Sequence, residues 1–195
     1  MNRINNDFEQ IFNQITTDKF LNMQSLGGEI PFFIYAYDVE KSNTIENEIS
    51  RLKRRVEENG FKVLQLDLYN IMIAILEERG LLSKILEKES STPKSKLFQT
   101  LQNTLDIETK VIPFIKKLVD ANHTSMVFIV NIGEVYPHIR SHSILNNLQA
   151  IIADRPTLMF FPGVYDGHSL RLFGKIKDDN YYRAFNIKNY KFEDK

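Results

Sequence analysis

The sequence predicts an α/β fold, a mostly parallel sheet with helices on both faces, in a nucleotide-binding-like architecture without a phosphate-binding loop. Short apolar runs such as Met126 to Val130 read as strands covered on both faces. Stretches with apolar residues every three or four positions separate them, as in Ile45, Ile49, Leu52 and Val56. Each parallel crossover must pass over a face of the sheet, so this alternation puts helices on both sides.

Phe8, Ile11, Phe12 and Ile15 share one helical face and predict an N-terminal helix within residues 1–24, broken at Gln24-Ser25-Leu26-Gly27-Gly28. Pro31 to Tyr37 is a continuous apolar and aromatic run, the first strand. After Asp38, Asn43 and Glu46 have the spacing of a capping box for the helix that ends at Asn59-Gly60. Lys62 to Asp67 predicts a second strand and Leu68 to Arg79 an apolar helix stopped by Gly80.

Leu81 to Leu86 and Leu97 to Leu105 predict a helical insertion in the middle, interrupted by a mobile Ser90-Ser91-Thr92-Pro93 link. Pro113 suits a first helical turn, so a helix starts there with Phe114, Ile115, Leu118 and Val119 inward. Ser125 to Asn131 is the third strand. Ile144, Leu145, Leu148, Ile151 and Ile152 are the buried stripe of the next helix, and Thr157 to Phe161 the fourth strand. Leu170 to Lys175 and Tyr182 to Ile187 predict a C-terminal edge hairpin turning at Lys177-Asp178-Asp179-Asn180. One domain over 1–195 is expected, with its core in 31–187.

Composition narrows the function. Hydrophobic residues make up 43% and charged residues 26%, the balance of a globular protein. Basic and acidic residues number 25 each, so no global positive potential draws the chain to nucleic acid or membrane. With no cysteine, disulfides, zinc ribbons and thiol catalysis are excluded. The polar N-terminus is unlike a signal peptide, and the apolar runs are far shorter than the roughly 20 residues of a membrane helix. A cytoplasmic protein is expected.

In a parallel sheet, ligands sit beyond the carboxyl ends of the strands. There the sequence places Asp38, Asp67 and Tyr69, then Asn131, Gly133 and Glu134, then Pro162, Gly163 and Tyr165. Helix capping alone accounts for Asp38 and Asp67. The G-x-x-x-x-G-K-[ST] loop of a nucleoside triphosphatase is missing: Gly174-Lys175 is followed by Ile176 and falls in a predicted strand. Glu134, His138 and His142 would share a face on a continuous helix and hold a metal, but Gly133 and Pro137 argue against that helix, so no metal is expected. Ser141 or Ser143 beside His142 does not make a nucleophile, and Gly167-His168-Ser169-Leu170-Arg171 lacks the last glycine of a serine elbow. No catalytic residue and no cofactor are expected. Arg51, Lys53, Arg54 and Arg55 are interleaved with glutamates, the pattern of a solvated face rather than a nucleic-acid patch. Tyr136, Tyr165, Tyr181, Tyr182 and Tyr190, with Arg140, Arg155, Arg171 and Arg183, have the chemistry of a protein interface.

Several longer blocks carry a resemblance. Leu26-Gly27-Gly28-Glu29-Ile30-Pro31 through Tyr37-Asp38 looks like the opening block of the BrxB family. Tyr136-Pro137, Arg140-Ser141-His142 and Leu145-Asn146-Asn147-Leu148-Gln149 resemble its central motif. Asp154-Arg155-Pro156 through Phe161-Pro162-Gly163 resembles the next. Tyr165-Asp166-Gly167, Ser169 to Gly174 and Asp178 to Phe185 complete a similarity that runs from about Phe20 to Ile187; His138 falls outside it.

The resemblance implies a role in BREX, which separates self from phage DNA by methylation and blocks phage replication. It implies a non-catalytic assembly or adaptor subunit whose partners are other BREX components, a PglZ-like protein first and the ATPase second, with DNA contacted only through the complex. The expected contact residues are Asp38, Tyr136, Arg140, His142, Asn146, Asn147, Arg155, Tyr165, Asp166, Arg171, Tyr181, Tyr182 and Arg183. The alternative is a nucleotide- or nucleic-acid-handling subunit with an unfamiliar site built from Asp38, Asp67, Arg140, His142 and Asp166.

Overall fold

Along each central strand, alternate side chains enter two different cores, and this divides the molecule into three layers. The computed structural model describes residues 3–24, 31–178 and 184–190. In it the chain runs α1 (Arg3–Ile15), α2 (Asp18–Leu21), β1 (Phe32–Tyr37), α3 (Ser42–Glu58), β2 (Val63–Asp67), α4 (Leu68–Glu78), α5 (Leu82–Lys88) and α6 (Lys94–Thr104). It continues with α7 (Ile112–Ala121), β3 (Met126–Val130), α8 (Ser141–Leu148), β4 (Thr157–Tyr165), β5 (Leu170–Leu172), β6 (Ile176–Asp178) and β7 (Phe185–Asn186).

The main sheet has the order β2-β3-β4-β1-β7, and every pairing on that path is parallel. Phe33, Tyr35, Phe128, Leu158 and Phe160 point to the face covered by α1 and α3. Phe32, Ile34, Ile129, Met159 and Phe161 point to the face covered by α4, α7 and α8. The period of two thus fills both cores from one sheet, as the continuous apolar runs require. The first core is aromatic. Phe8 meets the Tyr35 ring edge-on with centroids 5.3 Å apart, and Phe20 lies 4.8 Å from Phe33. Each buried ring contributes about 1.5–3 kcal/mol of transfer free energy.

The helical stripes are where the sequence puts them: Ile45, Ile49, Leu52 and Val56 on α3, and Phe8, Ile11 and Ile15 on α1, with Phe12 only partly covered. Four details differ. The capping box at Asn43 and Glu46 does not form; α3 begins at Ser42 out of a 3-10 turn over Val39–Lys41, and its N-cap residue, Lys41, makes no side-chain cap. Instead Asp38 accepts a hydrogen bond from the Glu40 amide at 3.0 Å and caps that turn. A 3-10 turn over Glu89–Ser91 overlaps the Ser90-Ser91-Thr92-Pro93 link, and a π-type turn over Ile107–Val111 leads into α7, which starts at Ile112 with Pro113 in its first turn. The α8 helix ends at Leu148, so Ile151 and Ile152 reach the core from the turns that follow.

The fourth strand is longer than its apolar run. Thr157 to Pro162 pairs with β1, and Gly163 to Tyr165 turns away to pair antiparallel with β5. Pro162, Gly163 and Tyr165 therefore lie within a strand, not in a loop after it. Gly163 sits at the change of partner with φ +154°, and a Cβ there would stand 2.1 Å from the Arg171 carbonyl. Only glycine allows that approach.

The hairpin comes one turn earlier than expected. β5 and β6 fold back through Phe173, Gly174 and Lys175, so Gly174-Lys175 is a turn rather than a strand. Lys177 and Asp178 belong to β6, while Asp179 and Asn180 lie outside the described residues. Phe185–Asn186 does not close a hairpin. It adds a short parallel edge to β1.

Candidate functional site

The connections leaving β1 and β3 go to opposite faces of the sheet, to α3 on one side and α8 on the other. A crevice forms at the carboxyl ends where such connections diverge. Here the last matched pair of β3 and β4 is Ile129 with Met159, whereas β1 and β4 stay in register up to Tyr37 and Pro162.

Two adjoining cavities occupy this end. The first, about 530 Å³, is lined by Arg3, Asp7, Tyr37, Lys41, Phe173 and Lys188 among others. The second, about 340 Å³, holds Ser42, Glu46, Asn131 and Glu134 and shares Tyr37, Val39 and Phe173 with the first. Tyr37 therefore stands between a basic and an acidic compartment. Burial pushes its hydroxyl up to about 12, opposed by a hydrogen bond with Ser42 and reinforced by the charges of Glu46 and Glu134.

The walls are firmly held. Asp7 accepts from the Tyr35 hydroxyl at 3.0 Å and pairs with Lys188 at 2.9 Å, and the Lys188 ammonium lies 4.4 Å from the Tyr35 ring centroid. Burial, with Asp7 nearby, raises the Tyr35 pKa. Phe173 has φ +54°, a left-handed conformation rare for a bulky residue. Its amide donates to the Pro162 carbonyl at 2.8 Å. Its ring leaves so little room that a Cβ on Gly133 would meet it at 2.9 Å.

The structure scatters the residues that the sequence singled out. Asp38 lines the larger cavity. Asp67 caps α4 through the Asn70 amide at 3.1 Å and receives the Asn131 side-chain amide at 3.0 Å. Three strand spacings separate the ends of β1 and β2, roughly 14 Å, so Asp38 and Asp67 do not form a carboxylate pair. Arg155 lies at the opposite, amino-terminal end of the sheet. It pairs with Asp154 at 2.7 Å and donates to Thr124 at 3.2 Å, tying together the loops before β3 and β4. That hydrogen bond with Arg155 holds the Asp154 carboxyl below its ordinary range.

Tyr165 is 6% exposed and donates to the carbonyls of Ala184 at 2.6 Å and Gly167 at 3.1 Å, an internal brace with little surface to offer a partner. Asp166 is exposed and accepts from the amides of Ser169 and His168 and from the Ser169 hydroxyl, which bring its carboxyl down to about 2. Arg140, Asn146 and Arg171 are exposed, His142 and Tyr136 are partly covered, and Asn147 donates back to the Ser143 carbonyl. Tyr181, Tyr182 and Arg183 lie outside the described residues.

Residues 131–140 form turns with a cis Tyr136-Pro137 bond, and α8 begins only at Ser141. Glu134 and His138 thus share no helix with His142, and among the described residues no group of three such side chains is placed to hold a metal. On α3 the four basic residues are paired with Glu48, Glu57, Glu58 and Glu9. Sequence reasoning missed Arg3, Lys41, Lys188, Tyr37 and Phe173. The aromatic end of the β1 run pointed to Tyr37, but nothing in the sequence joins Arg3 to Lys188.

The fold and this site define an α/β protein of doubly covered parallel sheet with a polar crevice at its carboxyl end and no phosphate loop. The model for the family described as BREX protein BrxB matches residues 64–187. A BREX protein BrxB from Bacillus cereus (strain H3081.97) is 38% identical over 191 residues, covering 96% of this chain and 98% of that protein. Another, from Escherichia coli O9:H4 (strain HS), is 32% identical over 178 residues, 91% of this chain and 88% of its own length. No solved structure matches significantly. The chain belongs to the BrxB family, a component of the BREX phage-defence system. Among the described residues no helix is long and apolar enough to cross a membrane.

Proposed function

We propose that this chain is a non-catalytic assembly subunit of the cytoplasmic BREX complex that binds another BREX component, a PglZ-like protein first and the ATPase second. The observation that carries this reading is the form of the family-like blocks. Ile139, Ile144, Leu145, Tyr165, Leu170 and Leu172 enter one core, while Arg140, Asn146, Asp166 and Arg171 stand exposed between them. A block needed for packing alone has no use for outward arginines. Guanidinium groups and ordered polar loops on a rigid base are what a partner surface uses. Asp166 stiffens the loop beside Arg171 by holding two amides and a hydroxyl.

The test combines defence with assembly. Arg140→Glu and Arg171→Glu are expected to lose phage protection together with co-purification of the partner, while melting stays within about 0.5 kcal/mol of the parent, as for other exposed positions. Defence lost with assembly intact would contradict the reading and turn attention to chemistry.

A further inference from the structure

We propose that the crevice at the carboxyl ends of β1 and β4 binds a nucleoside phosphate, with the phosphate at Arg3, Lys41 and Lys188 and the base toward Tyr37, Glu46 and Glu134. The proposal does not depend on the assembly role.

Size comes first. A cavity of about 530 Å³ with a second of about 340 Å³ beside it falls in the range of small-molecule sites and far exceeds what a bare anion fills. Its walls are apolar as well as charged. Tyr37 and Phe173 line both compartments, so each has aromatic side chains against which a planar group can pack. Val39 and Val164 line the same space and remain 38% and 50% exposed, apolar surface that a ligand would cover.

Charge then orients the ligand. Of the two carboxylates in the larger cavity, Asp7 is bound by Lys188 and Tyr35, and Asp38 by the Glu40 amide. Three cations, Arg3, Lys41 and Lys188, share the compartment with these two carboxylates, so it keeps a net formal charge of +1. The adjoining compartment contains Glu46 and Glu134 and, among the described residues, no cation. Carboxylates accept and do not donate, so the far end of the ligand must carry donors, which a base supplies as N–H groups. Adenine, guanine and cytosine carry an exocyclic amine with two N–H donors, whereas uracil offers only its single ring N3–H. The position also agrees with the chemistry, because the crevice lies at the carboxyl ends of parallel strands, where such sheets place ligands.

Thermal melting with AMP, GMP, CMP or UMP at millimolar concentration tests this, with adenosine and inorganic phosphate as controls. The expected result is a rise in Tm with AMP, GMP and CMP, less with UMP, and none with either control, because only a ligand of the native state stabilises it. The double variant Arg3→Glu/Lys41→Glu alters exposed side chains. It should melt like the parent without ligand and weaken nucleotide binding about tenfold or more. A shift seen only with a 5′-phosphorylated single-stranded oligonucleotide supports the same chemistry and assigns it to a nucleic-acid end. The absence of any shift, or a shift unchanged in the double variant, overturns the proposal. So does loss of a protein partner from that variant with no nucleotide effect, which gives the crevice to an acidic side chain of the partner.

Discussion

His138 packs against the Phe98 ring with centroids 5.2 Å apart, and its buried Nδ1 meets no hydrogen-bonding group among the described residues. Burial lowers its pKa from 6.5. Protonation is therefore harder in the folded state, the unfolded chain binds more protons just below pH 6.5, and stability falls as pH drops through that region. His138→Phe keeps a ring against Phe98 and removes the titration, so its Tm should vary less than the parent's between about pH 7.5 and 5.5. Equal slopes would show that His138 is not the group responsible. Gly163 makes a second prediction. Gly163→Ala places a Cβ against the Arg171 carbonyl and should cost roughly 2 kcal/mol or more, measured by urea denaturation. Of these residue-scale features the sequence showed the Asp38 cap, because a carboxylate after a strand has few other local uses. It could not show the Phe173 conformation or the Gly163 approach, since both depend on which strand lies alongside.

Helices α1 and α3 are joined by Arg55, which donates to Glu9 at 3.0 Å and lies 4.0 Å from the Phe12 ring centroid. Partly exposed contacts of this kind contribute little, and Arg55→Ala should cost about 0.5–1 kcal/mol. Tyr165 holds more, because its hydroxyl spans from β4 to the chain just before β7. Tyr165→Phe leaves the Ala184 carbonyl without that donor and should cost about 1–2 kcal/mol, with faster amide exchange at residues 185–187. Elements with strong periodicity were legible: the stripe of α3 and the apolar runs of β1 and β3 allow only one way to bury their side chains. The end of β4 was not. Its apolar run stops at Phe161, but pairing with β5 carries the strand on to Tyr165, a tertiary choice without a local signal. Edge pairing misled in the same way at Phe185, which joins β1 rather than the hairpin.

The three-layer arrangement follows from a sheet with apolar side chains on both faces, and that much is legible in the sequence. The crevice could not be. It joins Arg3 and Lys188, from opposite ends of the chain, by packing α1 against the sheet and laying β7 beside β1. Sequence order likewise grouped Arg155 with residues at the far end of the sheet, where a strand's length separates them. The role proposed for this BrxB-family chain is to hold another BREX protein. It is tested most directly by affinity purification of a tagged copy from cells carrying its genomic neighbours, followed by mass spectrometry, for the parent and for Arg140→Glu/Arg171→Glu. The parent is expected to bring down the PglZ-like protein or the ATPase, and the variant, folded and equally abundant, is expected not to. Recovery of the parent alone across several salt concentrations, or an undiminished partner with the variant, would contradict it.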